Sequence, residues 1–411
     1  MDIIQEKKFK LKSELEKNRG VYRLIPSWVS RNTLPPGKRL KLDNRDLYIR
    51  GGERGAISER WLSSTGGADN GDLTTENEGL SFIAIDGGKG KILLKEAIEI
   101  MGDDIIGSDT MKKYGGLTVF AKFYDFSISI PHHFHLMEKD ARLVGVNPKP
   151  EAYYFPRQLN SIVFNSSYTY FGLEPGTIKE DIIRCLKNWG TTEGNEIIEL
   201  SKAYKLKLGT GWNIPAGILH APGSLVTYEP QRVSDVSAFF QSMVDGHYMN
   251  RDLLVKFVPK EKYYDFNYLV ELLDWEANVD TDFKKNHYIE PVPVDNLEEM
   301  QSKGYEEYWI SYGTKEFSAK ELTIFPGREV CIKDDLGYGL IMMQGYGIMN
   351  NVEVETPSII RFEEVTSDEF FVTKNAANKG VTIKNLSSFS NIVMLKNFGP
   401  ENKDSEKLMS K

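Results

Sequence analysis

The chain has 411 residues, with 51 Lys+Arg against 59 Asp+Glu and a formal charge of -8, and at ~150 residues per domain that length argues for two or three domains. Hydrophobic residues at 40% and charged residues at 27% fit an ordinary soluble globular protein and exclude disordered or membrane-embedded classes. The negative charge comes without a basic stripe and no apolar run approaches the ~20 residues that span a bilayer, so neither a nucleic-acid nor a membrane partner is expected.

Residues 1 to 20 read as a charged amphipathic helix closed at Gly20. Their charge leaves no room for the apolar region of a signal peptide, and cytoplasmic residence is the expectation. A loop-rich stretch punctuated by Pro35, Pro36, Gly51, Gly52 and Gly66 to Gly71 comes next. Lys91 to Met101 carries apolar residues at helical spacing, whereas Leu117 to Ile130 is rich in β-branched and aromatic residues and ends in alternation. Strand patterns follow at Glu151 to Phe155, Ser161 to Phe171, Tyr204 to Ile214 and Gly223 to Phe240, interrupted by helical patterns at Ile178 to Leu186 and Glu196 to Ala203. Tyr264 to Glu276 reads as a helix and Asn278 to Glu299 as a polar connector. From Tyr305 to Phe398 strand signals and glycine turns return, with large apolar residues filling the interior, and the last dozen residues are polar. Many short strands of this kind point to a sandwich or barrel.

Six histidines occur in the chain, three of them at His132, His133 and His135. Strand alternation puts His133 and His135 on one face with Ser127 and Ser129, and turns His132 to the other. Two imidazoles two positions apart on one face can aim at a single cation, or can equally be hydrogen-bonded core residues. With only Cys185 and Cys331 in the chain, a metal must rely on histidine and carboxylate. Lys149 and Glu151 open an aromatic strand, a pattern that is usually a solvated strand start. His220 follows the turn Pro215-Ala216-Gly217 among apolar neighbours, where an unpaired imidazole is costly. Polar residues from Glu229 to Asp235 lie beyond it.

The order of these segments resembles the class I phosphomannose isomerases of the cupin superfamily. Ala121-Lys122-Phe123 and the histidine strand look like that family's first metal-binding strand, and Lys149-Pro150-Glu151 like its Lys-x-Glu motif. Pro215 to Ala221 resembles its Pro-x-Gly-x-x-His-Ala turn, and Glu229 to Asp235 the strand after it, with a weaker echo at Glu59-Arg60-Trp61. Where the family has Gln-x-His this chain has His133-Phe134-His135, and the family's arginine after the Ser-Asp pair is absent, its place falling near Phe239. Arg232 is the candidate substitute.

The resemblance implies a mainly β, double-stranded β-helix bicupin with helical insertions. It divides the chain into an N-terminal helix and lead-in at 1–30, a metal-binding cupin domain at 31–260 with its insertion at about 176–203, a helical connector at 261–304, a degenerate second cupin-like domain without a catalytic metal at 305–399, and a tail at 400–411. It implies one divalent metal, zinc first and manganese or iron next, held by His133, His135, Glu151 and His220, with Glu138 as the second choice of carboxylate. It also implies aldose–ketose isomerisation of a small sugar or sugar phosphate, with Lys149, Glu229 and Arg232 as the catalytic set and Glu229 as base. A metal-dependent cupin oxygenase and a sugar-binding cupin without turnover are the alternatives, because imidazole and carboxylate select poorly among metals and fold does not fix function.

Overall fold

The computed structural model describes residues 2–160, 168–406 and 408. Four antiparallel sheets stack in sequence, and a two-stranded hairpin, Met243–Val244 with His247–Tyr248, lies outside the stack.

A seven-stranded sheet runs in the order Tyr288–Ile289, Gly211–Ile214, Glu151–Tyr154, Thr227–Arg232, Val119–Tyr124, Ala56–Leu62 and Ser27–Arg31. Against one face packs a five-stranded sheet of Ser201–Lys205, Tyr168–Leu173, His220–Ala221, His133–Phe134 and Ala238–Phe239. The period of two decides what lies between them. Tyr124, Tyr153, Phe171, Trp212 and Ile214 fill one end of this interior as a mostly aromatic core, while Lys122, Glu151 and Glu229 point into the other. Phe134, Leu219 and Ala238 face the opposite way, onto a helical layer of Lys179–Lys187, Asp252–Val255 and Phe266–Glu271.

The other face of the seven-stranded sheet is equally apolar. Leu62, Ala121, Phe123, Tyr154 and Tyr228 form one continuous core with Ile310, Ala319, Ile341, Met343, Val393 and Leu395 of a nine-stranded sheet. Beyond it, Leu322, Leu340, Met342, Phe370 and Met394 pack against Val330, Met349, Val354 and Ile383 of a four-stranded sheet. The second β-unit thus has its own core and lends its outer face to the first. Its interior also holds charge: Lys320 and Lys396 meet Asp334 at 2.6 and 2.7 Å, and both contact Glu307, all four being buried.

The start of the chain joins this second unit. Val21–Ile25 pairs with Glu369–Val372 on one side and Phe82–Ile85 on the other, so the helices Ile3–Lys17 and Leu94–Ile105 pack at that end of the nine-stranded sheet. The helix expected from Lys91 starts only at Leu94, because Gly90–Leu93 completes the sheet edge beside Phe82–Ile85. Edge pairing also overrides the helical pattern at Glu196 to Ala203: after one 3₁₀ turn, Ser201–Lys205 aligns with Tyr168–Leu173. Of the strand expected over Ser161 to Phe171, positions 161–167 lie outside the described residues. The helix expected over Tyr264 to Glu276 is two, because Asp265 and Asp274 each cap a fresh start by accepting from Tyr268 N and Ala277 N. Among the described residues no helix is long and apolar enough to cross a membrane.

Candidate metal centre

His133 and His220 are directly opposed in the five-stranded sheet, and alternation carries His135 to the same side as His133. Their ring centroids lie 4.2 to 5.2 Å apart, and one ring nitrogen from each falls within 4.8 Å of the others. All three are buried.

The orientation of each ring is fixed from behind. His133 Nδ1 lies 2.8 Å from the Pro131 carbonyl, His135 Nδ1 2.6 Å from that of Val236, and His220 Nδ1 2.8 Å from that of Ile218. A carbonyl only accepts, so each Nδ1 carries the hydrogen and donates it, leaving an Nε2 lone pair on the other side of the ring. Backbone carbonyls behind a ring are the outer support that metal-binding histidines use.

Glu151, on the facing sheet, meets two of these lone pairs. Its Oε2 is 3.0 Å from His135 Nε2 and its Oε1 3.3 Å from His220 Nε2. Neither atom of such a pair has a hydrogen to give, and His220 Nε2, fully buried, has no hydrogen-bond partner. A cation between the carboxylate and the imidazoles resolves that opposition, so the donor set fits a borderline divalent metal of the zinc kind. The mutually close group is the three histidines; Glu151 borders it through His135 and His220. The structure turns His132 away from this group: its backbone N–H donates to Gln241 Oε1 at 2.9 Å and its Nδ1 lies 3.3 Å from the same oxygen.

Lys149 stands at the junction of the charges. Its ammonium donates to Glu151, to Glu229 Oε1 at 3.0 Å and to His135 Nε2 at 3.2 Å. Tyr153 OH donates to Glu151 Oε1 at 2.6 Å, and Lys122 Nζ lies 3.5 Å from both Glu229 and Glu59. Burial alone pushes Glu151 toward the neutral acid, but the Lys149 ammonium holds its carboxyl well below the usual range. Burial, with Glu151 as a like-charged neighbour, pushes Glu229 up to about 8. Burial and then the Lys149 ammonium push His135 down to about 4, and burial and the other imidazoles hold His133 well below its ordinary value.

These groups sit under a cleft of about 380 Å³, lined at its floor by His133, His135, Lys149 and Lys122. Arg232 is not brought to it. Glu229 and Gln231 take the inner face of their strand, so Arg232 turns outward, where Nη1 lies 3.4 Å from Glu138 and 3.8 Å from Glu316. The expected substitution for the missing arginine therefore fails on strand parity. Glu138, half exposed, pairs with Arg142 and is not part of the mutually close group of His133, His135 and His220. Among the cations that do line the cleft is Arg31, which sequence reading did not single out. Its place opposite Ala56 in the Ser27–Arg31 strand depends on a pairing that carries no local motif.

No protein-family model and no curated protein matches the chain, but solved structures do. Mannose 6-phosphate isomerase from Bacillus subtilis is similar over 92% of this chain and 99% of its own, with a TM-score of 0.60 at 16% identity. A single-residue variant of phosphomannose isomerase from Salmonella typhimurium is similar over 93% and 100%, with a TM-score of 0.59 at 12% identity. A mannose 6-phosphate isomerase bound with zinc and yttrium is similar over 93% and 100%, with a TM-score of 0.56 at 13% identity. The chain has the fold of the class I, cupin-type phosphomannose isomerases.

Proposed function

We propose that the protein is a metal-dependent aldose–ketose isomerase acting on a sugar or sugar phosphate. The observation that carries this reading is the facing of Glu151 and the histidine lone pairs beneath an open cleft, with Lys149 and Glu229 against them. His133, His135, Glu151 and His220 would hold one divalent ion, zinc first among the candidates. When bound, such an ion supplies Lewis acidity toward sugar oxygens.

The rest falls to the chain's own groups. Isomerisation moves a proton between adjacent carbons and between their oxygens, so it needs a base near neutrality and a cationic donor. Glu229, pushed up to about 8, exchanges a proton readily in that range and is the base in this reading. Lys149 lines the cleft and touches Glu229 at 3.0 Å; it meets the sugar oxygens and steadies the charge that develops on them. Lys122, at 3.5 Å from Glu229, holds that carboxylate from the other side. The mostly aromatic core behind the site closes the barrel end and keeps bulk water to the cleft side.

The test is metal analysis of the purified protein joined to a survey of hexoses, pentoses and their phosphates in deuterated water. Deuterium on the carbon next to the product carbonyl, lost on removing the metal, is the expected result. Metal-dependent oxygen uptake without exchange assigns an oxygenase instead, and sugar binding without exchange assigns a binding protein.

A further inference from the structure

We infer that the cleft is built for an uncharged, unphosphorylated sugar, because every cationic side chain that lines it is already paired with one of the protein's own carboxylates. This deepens the isomerase reading and rests on it for the identity of the site.

A phosphoryl group in a protein cleft is held by guanidinium, ammonium or backbone donors left free to meet it. Five cationic side chains line this cleft: Arg31, Arg54, Lys122, Lys149 and Lys256. Arg31 is the one best placed for an anion, and all three of its nitrogens are occupied. Nε donates to Glu59 at 2.9 Å, Nη1 to Asn70 Oδ1 at 3.0 Å, and Nη2 to both oxygens of Asp235 at 3.0 and 3.1 Å and to Glu59 at 3.3 Å. Arg54 pairs with Glu78, and its Nε, though without a partner, is sealed from solvent. Lys122 lies between Glu59 and Glu229, Lys149 between Glu151 and Glu229, and Lys256 donates to Asp69 at 2.8 Å. Among the described residues no cation on the cleft lacks a carboxylate, and Asp252 adds a further acidic group to the lining.

The remaining lining is what a sugar ring uses. Leu34, Phe126, Ile130 and Phe239 give an apolar wall for C–H faces, with the Phe239 ring 5.5 Å from that of His133. Asn32, Thr33 and Ser237 offer uncharged donors and acceptors for hydroxyls. A dianion placed here must compete with Glu59, Asp69 and Asp235 for their cations and adds to the charge of Asp252, and contacts of that kind discriminate strongly.

Calorimetric titration of the metal-loaded, full-length protein with mannose, glucose and fructose, and with their 6-phosphates, tests this directly. The free sugars should bind at least ~10-fold more tightly than their phosphates, with little dependence on salt. Tighter binding of any 6-phosphate than of its parent sugar overturns the inference. Asp235→Asn, which releases part of Arg31, should raise affinity for the 6-phosphates and for inorganic phosphate; if it does not fold, the wild-type comparison still decides. Deuterium exchange in the same samples separates the two readings. Preference for free sugars without exchange keeps this inference and removes the isomerase, whereas exchange on 6-phosphates alone keeps the isomerase and removes this inference.

Discussion

Arg60 and Asp368 are joined by two parallel hydrogen bonds, each 2.8 Å long, buried between the seven- and nine-stranded sheets. Glu369 adds a third at 3.0 Å. Such a cluster stabilises only while it is complete. Arg60→Met should therefore cost about 3–5 kcal/mol, since it leaves two carboxylates buried without their counter-charge; chemical denaturation measures it, and a loss under ~1 kcal/mol contradicts it.

The same cluster predicts a pH response. Burial, only partly offset by Arg60, pushes Glu369 up to about 7 from its ordinary value of 4.5. The folded chain thus holds this proton more tightly than the unfolded chain, and the stability it contributes is full below about 4.5 and lost as pH rises through about 7. Melting temperature followed from pH 4.5 to 7.5 should fall less in Glu369→Gln than in the parent. Identical slopes remove the effect.

Metal content should follow Glu151 and not Glu138. Glu151→Gln is expected to weaken zinc binding by roughly 100-fold or more, whereas Glu138→Gln, altering a half-exposed rim group, leaves it unchanged. Equilibrium dialysis against zinc with elemental analysis measures both, and the reverse pattern would transfer the carboxylate role.

Glu229→Gln should keep its metal and lose about 10²- to 10⁴-fold in kcat for solvent exchange, the usual contribution of a positioned base. Retained exchange with full metal content would reassign the base, with Lys149 next in line through its contact at 3.0 Å.

Cutting the chain near residue 300 should not yield an active first unit. It would bare Leu62, Phe123, Tyr154 and Tyr228, which are covered by Ile310, Ile341, Met343 and Leu395, and would strip Arg60 of both partners. Size-exclusion chromatography should show aggregation; a folded, fully active fragment would falsify the shared-core account.

Much of the site was legible because strand parity is a local rule. His133 and His135 share a side and His132 takes the other, whereas Glu151 and Glu229 were picked out by the resemblance of their segments to the family's motifs. The same rule, applied to Arg232, would have rejected it, since one position from Gln231 means the opposite face. Arg31 carried no signal, as nothing in its own segment announces Glu59 or Asp235. The helical patterns failed at Lys91 to Leu93 and at Ser201 to Ala203, where a free sheet edge outweighed amphipathic spacing. In the second unit, apolar patterning revealed the packed interior but not the buried Lys320, Lys396, Asp334 and Glu307, whose charges read as surface until the sheets are assembled.

The pairing of Val21–Ile25 with Glu369–Val372 also sets a timetable for the growing polypeptide. Thr373 and Gly20, bonded to each other, stand 353 positions apart, so at ~5–20 residues per second the first strand leaves the ribosome roughly 20–70 s before its partner exists. During that interval Leu24 and Ile25 can pair with Phe82–Ile85, but Val21 and Tyr22 have no partner strand and the edge stays unfinished. Closure of so distant a pair is slow. The nascent chain therefore passes through a stage with apolar strands uncovered, and chaperone dependence in the cell and low recovery from denaturant are the expected marks of this topology.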